Sequence, residues 1–137
     1  MATSQPMTIR LDHTVVPAKD KVASAGFFAE IFGLRVKLGY FAQVQVNESL
    51  TLDFADEPEL WNGPAPGPIL HYAFHISDAE FDAILARVKA RGLPHGSGPT
   101  KRADGRIYTL RGGRGFYFED PNGHVLEVMT VPETGSR

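Results

Sequence analysis

The chain repeats itself, and the repeat limits the folds open to it. A histidine sits in a short apolar stretch twice, in LDHTVV around His13 and in LHYAFHI around His71. Seven residues after each histidine stands an aspartate, Asp20 or Asp78, placed to cap a helix N-terminus. Each expected helix ends at a glycine, Gly33 in IFGL and Gly92 in ARGL, the residue that best tolerates the left-handed backbone after a helix. Ala25, Phe28, Ala29 and Phe32 recur at i, i+3, i+4 and i+7, and Phe81, Ile84, Leu85 and Val88 do the same. Both helices therefore carry an apolar stripe that a sheet must cover. Candidate strands follow each one: FAQVQV and SLTLDF alternate about a turn at Asn47 to Ser49, and GFYFED and HVLEVM about the turn DPNG. The pattern predicts two copies of a βαβββ unit, neither able to bury its sheet alone.

A chain of 137 residues has room for one domain with a real core. We place that domain at residues 8–132, with modules at about 8–60 and 68–132 joined through the Pro- and Gly-rich stretch Asn62 to Pro68. Side chains of a strand alternate between faces, so the helix-covered face can be separated from the other. Leu50, Leu52 and Phe54 fall on the helix side, as do Val44, Val46, Phe116, Phe118, Leu126 and Val128. The opposite face collects Gln43, Gln45, Thr51, Asp53, His71, His75, Tyr117 and Glu127, together with His13 if the first strand follows suit. Lysine and arginine are almost missing from that face, which reads as a polar, partly enclosed cavity rather than a solvated exterior.

Composition removes several chemistries. There is no cysteine, so disulfides, thiolate zinc sites and cysteine nucleophiles are excluded. A net charge of -2 gives no general attraction to nucleic acid or anionic membranes. MATSQPMTIR lacks the apolar stretch of a signal peptide, and no apolar run approaches the ~20 residues of a membrane span, so the expected compartment is the cytoplasm. Two histidines at matching positions of a repeat become symmetry-related when the units pair. With a carboxylate from the last strand they make a 2-His-1-carboxylate set, suited to Fe, Mn, Ni, Co or Zn as a divalent ion with positions open to substrate.

In LDHTVVPAKD followed by FFAEIFGL, then HYAFHISD, then FYFEDPNGHVLEV, the chain resembles the vicinal oxygen chelate superfamily over almost its whole length. That group includes glyoxalases, fosfomycin-resistance transferases, extradiol dioxygenases and bleomycin-resistance proteins. The resemblance implies an α+β fold in which two βαβββ modules form an incomplete mixed β-barrel, helices outside, often completed across a homodimer. It implies His13, His71 and Glu127 as metal ligands. Asp53 in LTLDF corresponds to a further acidic ligand of glyoxalase-like members; one methylene shorter, it is expected as a fourth ligand, a water-bridged contact or a general base. Tyr117 matches the fosfomycin-type members. Tyr117, Gln45, His75 and Arg111 are the candidate catalytic or substrate-binding residues, and Tyr108, like His75, is a candidate acid or base beside the metal. The implied activity is electrophilic catalysis on a small oxygen-chelating, anionic substrate, of the lyase, isomerase or dioxygenase type. The competing class is a drug- or metabolite-binding protein of the bleomycin-resistance type, whose members usually lack the triad.

The segment from Lys101 to Arg114 holds five cations among several glycines and reads either as a substrate-attracting flap or as a solvated loop. A single RGGRG beside a strand does not make an RNA-binding segment, nor is it a phosphate loop. His124 is expected to be exposed in the DPNG hairpin and His95 to lie in a loop. Trp61, before the second module, could line a pocket or a dimer contact.

Overall fold

Asp20 joins the first strand to the first helix as its position suggests. Strand β1 (His13–Ala18) leads to helix α1 (Lys21–Phe32), and the Asp20 carboxylate accepts from the Ala23 amide at 3.0 Å. Gly33 closes the helix in the left-handed region at φ 72°. Strands β2 (Val36–Leu38), β3 (Ala42–Gln45) and β4 (Thr51–Asp56) complete the first half. The second half runs β5 (His71–His75), α2 (Asp78–Ala90), β6 (His95–Gly96), β7 (Tyr108–Leu110), β8 (Gly113–Glu119) and β9 (Val125–Met129). This is a computed structural model, and it describes residues 8–57 and 67–133. Trp61 and most of the stretch between the halves lie outside the described residues.

Each half builds its own mixed sheet, in the order β1-β4-β3-β2 and β5-β9-β8-β6, with β7 also paired to β8. Among the described residues the two sheets do not close into a barrel. In the second sheet two short strands share the outer place: β6 pairs with Tyr117 and Phe118, and β7 with Gly113 to Gly115. The internal repeat extends to register. β1 runs parallel to β4 with Val15 opposite Asp53, and β5 runs parallel to β9 with Ala73 opposite Glu127. In both sheets the acid thus lies across from the residue two past the histidine. The antiparallel neighbours correspond as well, Gln43 facing Asp53 and Tyr117 facing Glu127.

The faces divide as alternation requires. Val44, Leu52, Phe54, Phe116, Phe118, Leu126 and Val128 are buried on the helix side. Helix α1 does more than cover its own sheet. Phe28 stacks on Phe32 at 4.1 Å between ring centroids; Phe28 also meets Phe54 of β4 and Phe74 of β5, and Phe32 meets Phe74 and Phe118. One aromatic cluster therefore joins the two halves, and Phe27 and Ile31, outside the expected stripe, are buried too. Arg87 of α2 donates to the Ile31 carbonyl at 3.1 Å, and Arg91 pairs with Glu30 at 3.0 Å.

Four expectations need correction. His95 lies not in a loop but in β6, paired with Phe118 of β8. Ser77, not Asp78, caps α2: its hydroxyl accepts from the Glu80 amide while Glu80 accepts from the Ser77 amide, leaving Asp78 to pair with Arg114. His124 is fully buried, because the DPNG turn folds back onto the first half. Its Nδ1 accepts from the Leu70 amide at 3.0 Å and its Nε2 donates to the Pro17 carbonyl at 2.7 Å. Beside it, Asn122 accepts from the Lys19 amide and donates to Ser24 and Asp120. The segment from Lys101 to Arg114 is not one loop: its end forms the β7–β8 hairpin, with Leu110 paired to Gly113 across Arg111 and Gly112. Both turn residues have positive φ, 54° and 79°, as a two-residue hairpin of matching twist requires. Arg111 is the one non-glycine with positive φ among the described residues.

Candidate functional site

The open face of the second sheet forms a cavity of about 760 Å³ whose lining includes His71, His75, Tyr108, Arg111, Tyr117 and Glu127. β5 and β9 place His71 and Glu127 next to each other. His71 Nε2 lies 3.2 Å from Glu127 Oε1, and Tyr108 donates to Glu127 Oε2 at 2.5 Å. Glu127 is buried, whereas the His71 side chain is about half exposed at 46%. Burial, reinforced by the Glu127 charge, pushes the Tyr117 phenol up to about 12 and raises Tyr108 also. Both phenols therefore keep their protons at neutral pH and serve as donors rather than bases.

The first sheet presents a second pair in the matching place. Asp53 is buried, at 4% exposed, and its Oδ1 accepts from Gln43 Nε2 at 3.1 Å. His13 is exposed, and its Nδ1 donates to Asp12 Oδ2 at 2.8 Å. That bond raises the His13 pKa, the ring's loss of hydration opposing it. A proton fixed on Nδ1 leaves Nε2 free to coordinate, the arrangement usual for a metal-binding histidine with a carboxylate behind it.

Of the residues singled out from the sequence, the structure brings His71, Glu127, Tyr117, His75 and Arg111 around one cavity. His13, Asp53 and Gln45 sit on the other sheet of the same chain. Gln45 donates to the Asn47 carbonyl at 3.1 Å, and His75 Nε2 donates to the Thr130 carbonyl at 3.2 Å. Of the five cations from Lys101 to Arg114, Arg102 is tied to Glu119 and Arg114 to Asp78 and Asp82, while Arg111 reaches the cavity. Among the described residues of one chain, no three His, Asp or Glu side chains gather as a metal-holding group.

The donor chemistry of each half nevertheless fits a divalent ion. Neighbouring donors around a six-coordinate ion with bonds of about 2.1 Å lie about 3 Å apart, close to the separation of His71 Nε2 from Glu127 Oε1. Each half carries one imidazole and one buried carboxylate in the same register.

The family model of the Glyoxalase/Bleomycin resistance protein/Dioxygenase superfamily matches residues 10–128. The chain belongs to that superfamily. Two solved structures, the oxidases ChaP-H1 and ChaP-H2, are 45% and 41% identical to it, each with a TM-score of 0.84. The matches cover 93% and 96% of this chain and 100% of theirs. The protein YwbC of Bacillus subtilis (strain 168) is 33% identical over 133 residues, 90% of this chain and 98% of that protein. Among the described residues, no helix is long and apolar enough to cross a membrane.

Sequence reasoning passed over Asp12, and it placed Gln43 on the open face without pairing it to Asp53. Asp12 adjoins His13, and Gln43 faces Asp53 on the neighbouring strand; a search for acceptors beside the histidine and for cross-strand neighbours of the acid would have found both contacts.

Proposed function

We propose that this protein is a divalent-metal-dependent enzyme that oxidises or rearranges a small, anionic substrate bearing neighbouring oxygens. The observation that carries the reading is the repeated register of a histidine and a buried acid, one pair on each sheet. Since no three such side chains gather within one chain among the described residues, we assign the complete set to a homodimer. His71 and Glu127 of one chain and His13 of its partner copy would hold the ion. Asp53 would serve as fourth donor or as the base that moves a proton.

When bound, the ion supplies electrophilic stabilisation of charge on chelated substrate oxygens. Iron ranks first among Fe, Mn, Ni, Co and Zn, because two histidines and a carboxylate with open positions suit oxygen chemistry and the oxidases ChaP-H1 and ChaP-H2 are the similar structures at 45% and 41% identity. This chain's own groups do the rest. Arg111 attracts the substrate's negative charge, Tyr117 donates a hydrogen bond within the cavity, and His75 forms part of its lining.

Elemental analysis of anaerobically purified protein beside His71→Ala tests this reading. About one transition metal per chain, lost in the variant, is the expected result. No metal after reconstitution with each candidate ion would overturn it in favour of a ligand-sequestering protein of the bleomycin-resistance type.

A further inference from the structure

Glu127 is reached by a residue from two strands away, across a gap that a glycine keeps open. Tyr108 on β7 is paired with Gly115 on β8, and Gly115 with Met129 on β9. Glu127 stands two residues before Met129, opposite Tyr117. To donate to Glu127 Oε2 at 2.5 Å, the Tyr108 ring must lie diagonally over position 115. A Cβ placed on Gly115 would overlap Cζ and the hydroxyl of that ring. The backbone at Gly115 does not call for glycine, for among the described residues the glycines with positive φ are Gly33, Gly92, Gly105, Gly112 and Gly123. Only the ring lying across it does.

We propose that Tyr108 is the positioning residue for Glu127 and that Gly115 is its seat. The phenol fixes Oε2 and turns Oε1 toward His71 Nε2, so that one oxygen is presented to the ion and the other is withheld. Groups that orient a ligand in this way commonly matter 10–100-fold to metal affinity. Tyr108 touches the ligand and acts through it. The inference rests on the metal-dependent reading above.

Its test is titration of the full chain with Co(II) alone, reading both the binding isotherm and the d–d absorption spectrum, beside denaturation of the metal-free protein. Tyr108→Phe should weaken Co(II) binding about 10–100-fold and alter the spectrum, with metal-free stability little changed. Gly115→Ala should weaken binding similarly by pushing the ring aside. In a Tyr108→Ala background, adding Gly115→Ala should cost nothing further, since no ring remains to displace. Wild-type affinity and an unaltered spectrum in Tyr108→Phe would overturn the inference while leaving the metal site standing. So would a Gly115→Ala loss that persists in full without the ring. A wild type that takes up no Co(II) would instead overturn the metal-dependent reading, and the inference with it.

Discussion

Two inactive variants should restore each other when mixed. In a twofold dimer of the kind assigned here, one site takes His71 and Glu127 from one chain and His13 and Asp53 from the other. A His13→Ala homodimer has two damaged sites, and so does a His71→Ala homodimer. A mixed dimer is different: one site has lost both histidines and the other keeps both. Random pairing makes about half of all dimers mixed, so about one quarter of the wild-type sites should return. The variants carry different affinity tags and are co-expressed, and metal content is measured at a concentration where each variant alone is bare. Mixed dimers isolated through both tags should then hold about half the wild-type metal. His13 and His71 lie on separate sheets of one chain, so each variant damages a different half of the shared site. Metal content no higher than in the separate variants would refute it.

Other perturbations probe the surroundings. Arg111→Asn should stabilise the fold by up to about 1 kcal/mol, because asparagine tolerates the positive φ of the hairpin turn better, while raising KM for an anionic substrate several-fold; thermal denaturation and initial rates check both. His124→Ala should cost about 2–4 kcal/mol in urea unfolding, since it leaves a cavity and strands the Leu70 amide and Pro17 carbonyl. Glu80 has its pKa lowered below 4.5, first by the Ser77 backbone amide that it accepts from and then by the Ser77 side chain. Its contribution is therefore present above the unfolded value and lost as pH falls through the folded one. Glu80→Gln should flatten the acid limb of stability between about pH 5 and 3, by less than about 1 kcal/mol because the group is largely exposed.

The fold was legible because its signals are local and doubled. Caps, apolar stripes and strand alternation each appear twice, and a misread position such as Asp78 for Ser77 shifts one boundary without moving a strand. The pairing of His71 with Glu127 was legible from their places in the repeat. Hidden from sequence was anything set by contact between distant segments. His124 reads as exposed in a polar hairpin turn, yet Pro17 and Leu70 make its burial favourable. Gly115 reads as one more glycine of RGGRG, and its role emerges only when Tyr108 lies across it. The division of the donors between two sheets, by contrast, follows the repeat itself, His13 and Asp53 falling in the first module and His71 and Glu127 in the second.

The DPNG turn has a consequence for the order in which the protein is made. Asn122 completes the hydrogen bonding of Lys19 and Ser24, and His124 that of Pro17, across 103, 98 and 107 residues. A chain leaving the ribosome thus exposes its first half long before the groups that satisfy it are synthesised. That half must wait for the last hairpin, so the two modules should reach their native state together rather than in turn. Shortening the chain at its end would then be felt first near its beginning, around the strand that carries His13.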